Sequence, residues 1–198
     1  MEERVRRKLS EERQTEILEA FKRCITENGI EKSSLRCVAA EAGVTQPLLS
    51  HHFGSRAGLV EALVHYVLSQ YDEDMERDLA SVSEQDDAEA LLDYLFGGRF
   101  TEFSERDDVL FFELYSAAAR DGAIRGQIGE LYARSQRWIT NYLRKIYPEV
   151  SSAECRRVSY ALMCLAESNE TFRALEVPGR RSRDVIASGR ALIDSLLR

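Results

Sequence analysis

The stretch SSLRCVAAEAGVTQPLLSHHFGSRAGL, residues 33–59, contains two short helix patterns separated by one glycine. Ser33 or Ser34 supplies a hydroxyl that can cap the first helix, in which small apolar residues recur at intervals of three and four. Gly43 accepts the left-handed backbone that ends a helix, and Thr45 is positioned to cap a second helix with a proline in its first turn. This order of helix, tight turn and helix is typical of a helix-turn-helix that reads DNA.

The second helix pattern predicts an inward face and an outward face. Leu48, Leu49 and Phe53 recur on one side and are expected to pack against the rest of the domain, and Gly54 ends the helix. The other positions of this segment point outward and are expected to face DNA: Thr45, Gln46, Pro47, Ser50, His51 and His52.

The sequence on both sides of this stretch also has helical periodicity. An amphipathic pattern predicts a first helix over residues 10–28, and Ser55 is positioned to cap a longer helix that begins at Arg56. The later helices are predicted over residues 56–79, 86–103, 107–120, 123–147, 152–175 and 182–197, with breaks that include 81–83 and 105–106. Because no segment alternates with a period of two, the fold class is all-α. The domain boundary is predicted between residues 1–55, with the arm and the helix-turn-helix, and residues 56–198.

The segment AxxAGVTQPLLSHHFGSRAGLVEAL, which ends at Leu63, resembles the signature of the TetR family of bacterial transcription regulators. The resemblance extends over residues 17–63. It implies an N-terminal three-helix domain that binds operator DNA as half of a homodimer, followed by a larger helical domain that binds a small-molecule effector and forms the dimer. The function implied is that of a repressor released from a palindromic operator by its ligand.

The resemblance also assigns roles to individual residues of the DNA-binding domain. Many members have a tyrosine that contacts a phosphate where this chain has Ser50, which puts that contact in doubt. Where a lysine is usual at the start of the fourth helix, Arg56 keeps the positive charge and is expected to bind a phosphate. The residues expected to face base edges are Gln46, Pro47 and His51, and those expected to contact the backbone are Ser34, Arg36, His52 and Arg56.

The net charge is unevenly distributed along the chain. The total is −7, whereas residues 1–60 hold ten basic and nine acidic residues, a net of +1, so that residues 61–198 hold −8. Four basic residues precede the first predicted helix, where they form either a flexible arm that approaches DNA or a solvated tail: Arg4, Arg6, Arg7 and Lys8. The acidic distal part would be repelled by DNA, which limits nonspecific binding.

Aromatic residues gather in the predicted helices of the distal domain, where relatives have a ligand cavity. The residues expected to contact a ligand are Phe96, Phe100, Phe103, Phe112, Tyr115, Trp138, Tyr142 and Asn169. Ordinary core packing is the alternative for each aromatic residue. Residues 110–139 are similar to the choline-responsive BetI-like branch of the family, in which an aromatic box and a carboxylate suit a cation.

The last two predicted helices carry apolar stripes with small residues that allow close helix approach. In relatives, two such helices from each subunit form a four-helix dimer interface, so we expect a homodimer here, with an intramolecular core as the alternative. A dimer also suits DNA, because two recognition helices must lie about 34–36 Å apart or at a multiple of that spacing.

The four cysteines are Cys24, Cys37, Cys155 and Cys164, with no CxxC pair among them. Three lie in apolar helical contexts and are expected to be buried structural thiols. Cys155, which precedes two arginines, is the position with the electropositive surroundings that a redox sensor needs.

Several other classes of function are not expected from this sequence. His51 and His52 point about 100° apart on a helix and lack a third ligand at the required spacing, so no metal site is predicted. No nucleophile is paired with a base, so we expect neither an enzyme nor a cofactor. Because no apolar run of eighteen residues and no secretory leader is present, the protein is expected to be cytoplasmic and without membrane contact.

Two alternatives to a ligand-released repressor remain open from the sequence. One is an activator or a regulator controlled by a protein partner, which would use the same DNA-binding domain. The other is a helical interaction protein whose DNA binding has decayed, an interpretation favoured by Ser50 and by the small positive charge of residues 1–60.

Overall fold

The computed structural model describes residues 2–85, 87–178 and 182–197, and these residues form helices without a strand, which confirms the all-α prediction. The α-helices in chain order are α1 (Glu2–Asn28), α2 (Leu35–Glu41), α3 (Gln46–Phe53), α4 (Arg56–Gln85), α5 (Ala88–Phe96), α6 (Gly98–Ala118), α7 (Gly122–Ile146), α8 (Ser152–Ala174) and α9 (Ser182–Asp194). A short 3₁₀ turn, Ser195–Leu197, follows α9. In the part of the chain that the structure describes, every helix is too short or too polar to cross a membrane.

The chain packs as two compact units. Unit 1 contains residues 1–71 and 109–128, and unit 2 contains residues 72–108 and 129–198. The helices α4, α6 and α7 therefore each contribute residues to both units. Unit 1 combines the predicted DNA-binding helices with the end of α6 and the start of α7.

The core of unit 1 forms around one face of α1. Ile17, Phe21 and Ile25 have no exposed side-chain surface, as their spacing of four residues predicts. Leu49 from α3 and Leu59 from α4 are equally buried. Removing this apolar surface from water holds the short helices α2 and α3, which are too short to be stable alone, against α1.

The first helix begins at Glu2, eight residues before the predicted start at Ser10. The backbone is thus helical through the basic segment Arg4–Lys8, and the prediction of a flexible arm or disordered tail there is wrong. The physical reason is composition, because residues 2–9 are rich in glutamate and arginine, which favour helix, and contain neither glycine nor proline.

Two predicted helix breaks in the distal part of the chain are also wrong. Helix α4 continues through residues 81–83, and α6 continues through residues 105–106. The break lies instead at Gly97, whose backbone is extended at φ −85° and ψ −175°. A Cβ at this position would lie only 2.2 Å from the carbonyl oxygen of Asp93, so the turn that ends α5 requires a glycine.

The core of unit 2 forms between α5, α7, α8 and α9, where Leu91, Leu143 and Leu162 are fully buried. At Gly189, a Cβ would lie 2.6 Å from a ring carbon of Phe96. The absence of a side chain at this glycine therefore allows α9 to approach α5 closely.

Candidate nucleic-acid interface

The caps of the two short helices set the geometry of the helix-turn-helix. Of the two serines that precede α2, Ser34 is the cap, because its hydroxyl oxygen accepts a hydrogen bond of 3.2 Å from the backbone N–H of Cys37. Ser33 is buried and its hydroxyl donates to the carbonyl oxygen of Gly29 at 2.8 Å. Gly43 follows α2 with φ +64°, the left-handed conformation predicted for the turn.

Helix α3 begins and ends differently from its hydroxyl-capped neighbour. Thr45 is the N-cap residue of α3, as predicted, and has the extended backbone of such a residue, although its side chain makes no capping hydrogen bond. Pro47 removes one N–H from the first turn, which leaves fewer donors to satisfy. Gly54 ends the helix with φ +72°, and Ser55 then caps α4 through a hydrogen bond of 3.2 Å from the N–H of Gly58, as predicted.

Helix α3 has one buried face and one exposed face. Leu49 is fully buried and Leu48 and Phe53 are half-buried, which confirms their inward orientation. The exposed residues among those predicted to contact DNA are Ser34, Arg36, Thr45, Gln46, Pro47, Ser50 and His51. The structure thus leaves polar side chains of α3 and of the preceding cap available on one surface.

His52 is half-buried, unlike its neighbour in the sequence. Its Nδ1 lies 3.4 Å from Nε2 of Gln14 in α1. The His52 ring also meets the ring of His51 edge to face, with 5.4 Å between their centroids. The side chain is therefore held against α1, and its contact with a phosphate stays a prediction.

Arg56 is half-buried at the start of α4 and contacts the loop between α1 and α2. Its guanidinium donates hydrogen bonds to the carbonyl oxygens of Ile30 and Ser33. These contacts fix α4 against the helix-turn-helix and use two of the five N–H donors that an arginine carries. The sequence indicated a phosphate contact here and missed this structural role.

The same loop is bound from α6. The backbone N–H of Ile30 donates a hydrogen bond of 2.9 Å to Oε2 of Glu113. Gly29 has φ +79°, and a Cβ there would lie 3.3 Å from Oε1 of the same carboxylate. Glu113 thus acts inside unit 1, where it satisfies the backbone that follows α1.

An open cleft of about 380 Å³ borders this junction inside unit 1. Its lining combines apolar and charged side chains, among them Ile30, Arg56, Val60, Ala117, Arg120 and Ile124. Arg120 and Glu31 approach to 3.8 Å across its rim, although both are highly exposed, so the pair contributes little to stability.

The residues predicted to bind a ligand are divided between the two units. Phe112 and Tyr115 belong to unit 1, whereas Phe96, Trp138, Tyr142 and Asn169 belong to unit 2. The side chains of Phe100 and Phe103 lie outside the described part of the structure. Phe112 is exposed, and Tyr115 packs on Phe111 with 5.8 Å between the ring centroids.

The unit 2 members of this group have protein partners. The Tyr142 hydroxyl donates to the carbonyl oxygen of Asp87 at 2.8 Å and accepts from its N–H at 3.1 Å, which fixes the start of α5. Trp138 is half-buried and stacks on Tyr142 at a centroid distance of 5.2 Å. Asn169 is buried and donates to Oε1 of Glu170 at 3.0 Å. Ligand contact by these residues stays a prediction.

A group of paired acidic and basic side chains lies in unit 2. Arg173 donates to Glu170 at 2.7 Å and to both carboxylate oxygens of Asp108 at 2.9 and 3.0 Å. Glu167 accepts a hydrogen bond of 2.9 Å from the Tyr132 hydroxyl. Burial raises the pKa of Glu167, and the nearby Glu170 carboxylate raises that pKa further. These pairings connect residues far apart in sequence, so periodicity alone does not reveal them.

The apolar residues of the last two helices are divided between the interior and the surface. Val158, Leu162 and Ala166 of α8 and Ile193 of α9 are buried in the core of unit 2, so part of the predicted stripe follows the intramolecular alternative. Other apolar residues of α8 and of the turn after it stay exposed: Tyr160, Cys164, Phe172 and Leu175. The first three of these positions follow a four-residue spacing, with Ser168 between the second and the third, and therefore form a stripe that winds by about 120° around α8.

The cysteines differ from the prediction in two respects, the first being that Cys164, expected to be a buried structural thiol, is exposed. Cys155 is fully buried and burial raises its pKa, so it lacks the exposure that a redox sensor needs and the suggestion of a sensor there is wrong. Cys24 is buried and Cys37 is half-buried, and their sulfur atoms lie 3.2 Å apart. No sequence spacing indicates that pair, because it forms only when α1 and α2 pack together.

Comparison with known proteins gives a match in sequence and several matches in fold. Residues 17–63 match the family model of bacterial regulatory proteins, tetR family. The HTH-type transcriptional regulator BetI of Yersinia pestis (strain Pestoides F) is 31% identical over 74 residues, which are 37% of each chain. The chain therefore spans little more than a third of the length of that relative.

The structural likenesses cover nearly the whole chain. A protein of Pseudomonas aeruginosa PAO1 that is assigned as a transcriptional regulator has a TM-score of 0.75 at 20% identity, over 94% of this chain and 90% of the other. A protein of Saccharomonospora viridis with the same assignment, solved in complex with choline, has a TM-score of 0.71 at 16% identity, over 93% and 96%. At these identities the likeness shows a shared fold.

Proposed function

We propose that the chain is a transcription regulator of the tetR family of bacterial regulatory proteins, whose model residues 17–63 match, and that its α3 enters the major groove of operator DNA. The observation that carries the proposal is the exposed face of α3. The opposite face is anchored by the buried Leu49, and the glycines that flank the helix, Gly43 and Gly54, both have positive φ. Such a helix is fixed at both ends while its polar side chains remain available to base edges. Residues 1–55 would then form the DNA-binding part, and residues 56–198 the part that binds a ligand and a second subunit.

The exposed residues of this surface suggest a division of roles. The Gln46 amide can donate to and accept from one adenine through N6 and N7, which gives base specificity. Arg36 carries a charge that would neutralise a phosphate without reading sequence. The other residues proposed at the interface are Ser34, Thr45, Pro47, Ser50, His51, His52 and Arg56.

We propose that the functional form is a homodimer assembled through α8 and α9. The support is the exposed apolar stripe of α8, where Tyr160 is 57% and Phe172 50% exposed. Aromatic residues of this size are usually covered when they lie along one helix in a stable protein. A two-fold dimer would present two copies of α3 to the two halves of a palindromic operator.

Repression would be relieved when an effector shifts the DNA-binding helices. Helix α6 runs from unit 2 into unit 1, where Glu113 holds Ile30 in the loop that precedes α2. A displacement of α6 would therefore move the loop that positions the helix-turn-helix. An effector that favours the displaced state would lower operator affinity by its difference in affinity for the two states.

We propose a small organic cation as the effector. The choline bound to the Saccharomonospora viridis protein supports this class of ligand, as does the half-buried ring of Trp138, since aromatic faces attract cations. Thermal unfolding with increasing choline tests the idea, because a ligand of the native state raises the melting temperature. An unchanged melting temperature at a saturating millimolar concentration would argue against a choline-like effector.

The experiment that tests the central proposal is selection of bound fragments from a genomic DNA pool, with the affinity of the winning fragment then measured against salt. We expect a palindromic fragment and a steep, linear decrease of log affinity with log salt. Absence of enrichment at low salt would contradict DNA binding and favour a helical interaction protein instead.

A further inference from the structure

Two thiols lie against each other inside the helix-turn-helix domain. The thiol of Cys37 in α2 donates to the sulfur of Cys24 in α1, and the two sulfur atoms are 3.2 Å apart. A disulfide requires a sulfur separation of about 2.05 Å, so the atoms must approach by about 1.1 Å to bond. The pair is therefore reduced in this structure but close to bonding distance.

A second, solvent-exposed contact joins the same two helices. Nε of Arg23 donates to Oε1 of Glu41 at 2.6 Å, and this pair joins α1 to α2 one residue from Cys24. Val38 and Ala39, the residues that follow Cys37 in α2, are both buried. Both cysteines thus lie on helices that pack against each other, and neither lies in a loop.

The two thiols differ in their access to solvent. Cys24 is 3% exposed, whereas Cys37 is half-buried and can be reached from outside. Burial, followed by the contact with the Cys37 thiol, raises the pKa of Cys24 to about 12, so this thiol keeps its proton at neutral pH. A small oxidant would consequently react first at Cys37, with Cys24 placed to complete the bond.

We propose that Cys24 and Cys37 form a reversible disulfide when the protein meets a peroxide, and that this modification weakens operator binding. In the first step the Cys37 thiolate attacks hydrogen peroxide, so that its sulfur is oxidised to a sulfenic acid and hydroxide leaves with the second oxygen. In the second step the Cys24 sulfur displaces the hydroxyl of the sulfenic acid. The proton of Cys24 leaves with that hydroxyl as water, and a dithiol reverses the modification by exchange.

The disulfide would act on the part of the domain that carries the DNA contacts. It closes a loop over residues 25–36, which includes Ile30, held by Glu113, and Ser34, the cap of α2. Drawing α2 toward α1 shifts Arg36 and, through the turn at Gly43, the recognition helix α3. This second half of the inference rests on the proposed function, whereas the disulfide itself does not.

Peptide mapping tests the chemistry on the full chain. The protein carries Cys164→Ser, which removes an exposed thiol able to link two copies. It is treated with hydrogen peroxide, alkylated, digested and analysed by mass spectrometry. We expect one pair of peptides, joined through Cys24 and Cys37 and separated again by dithiothreitol. Recovery of both peptides in alkylated form after treatment, or a link that includes Cys155, would overturn the proposal.

Two variants then assign the order of the steps. Cys24→Ser should leave Cys37 as a sulfenic acid that dimedone labels, whereas Cys37→Ser should leave Cys24 largely unlabelled because it is buried. Cys155→Ser is the matched control, since it removes another buried thiol and should leave the Cys24–Cys37 link intact. Stronger dimedone labelling at Cys24 than at Cys37 would overturn the proposed order. If a variant does not fold, the mapping of the parent protein still decides whether the link forms.

Operator affinity of the reduced and oxidised proteins tests the regulatory half. We expect binding about tenfold weaker after oxidation, restored by dithiothreitol and unaffected by peroxide in Cys37→Ser. A linked protein with the affinity of the reduced form would overturn the regulatory role. Failure of the reduced protein to bind any DNA would contradict the proposed function instead, because the peptide link is measured without DNA.

Discussion

The backbone N–H of Ile30 donates a hydrogen bond of 2.9 Å to the carboxylate of Glu113, a residue of α6 that lies 83 positions further along the chain. This bond satisfies the backbone directly after α1 and joins the loop before α2 to a helix outside the predicted DNA-binding domain. A change of the Glu113 side chain should therefore affect both the stability of the protein and the regulation of its DNA binding.

Replacement of Glu113 by alanine should lower the free energy of unfolding by about 1–3 kcal/mol, because the partly buried N–H of Ile30 loses a charged acceptor. Glu113→Gln keeps an acceptor oxygen and should lose less. Urea denaturation of both variants gives the comparison. Equal losses for alanine and glutamine would show that the hydrogen bond is not the source of the effect.

Gln46 and Arg36 should have separable effects on DNA binding, since both are exposed but differ in chemistry. Gln46→Ala should lower the preference for the selected operator over a site mutated at the contacted base by about 1–3 kcal/mol. Arg36→Ala should weaken binding to all sequences by a similar factor and reduce the salt slope. Fluorescence anisotropy against both sites at several salt concentrations measures these quantities. An unchanged base preference in Gln46→Ala would show that Gln46 does not contribute to base specificity.

The sequence predicts those features of the fold that depend on residues close together in the chain. The turns at Gly43 and Gly54 and the inward face of α3 are set by residues a few positions apart, and the structure has them as predicted. No local pattern indicates the break at Gly97, which depends on a close approach to Asp93, and the polar residues at 105–106 do not end α6.

The contacts that the sequence did not predict join distant segments. Glu113 meets Ile30, Arg173 meets Asp108, and Cys24 meets Cys37 only after helices have packed, and no local periodicity encodes such meetings. The predicted ligand residues show the same limit, since aromatic spacing on α5, α6 and α7 indicates burial but does not distinguish a core from a cavity.

The exposed apolar stripe of α8 should hold the dimer together. Phe172→Glu places a charge on a residue that is 50% exposed here, so it should leave the fold intact but convert the dimer to a monomer. Light scattering coupled to size-exclusion chromatography measures the mass. Val109→Glu is a matched control, because Val109 is 48% exposed but lies on α6 in unit 1. A monomeric Val109→Glu protein, or a dimeric Phe172→Glu protein, would contradict an interface formed by α8.

Glu167 should make the stability of the protein depend on pH. Burial raises its pKa above the ordinary value for a glutamate, so the folded state favours the neutral carboxyl. The stabilisation is then present below the ordinary pKa of glutamate and is lost as pH rises through the raised pKa. Glu167→Gln is neutral at every pH and can still accept the hydrogen bond from Tyr132, so it should raise the melting temperature at pH 7 and leave it unchanged near pH 4.

The control for this pH effect is Glu130→Gln, since Arg137 lowers the pKa of that exposed carboxylate. A glutamate of this kind is stabilised in its charged form, so its replacement should not raise the melting temperature at either pH. Differential scanning calorimetry of the parent and both variants at pH 4 and pH 7 completes the comparison. A melting temperature of Glu167→Gln at pH 7 equal to or below that of the parent would show that the charged carboxylate of Glu167 does not destabilise the folded protein.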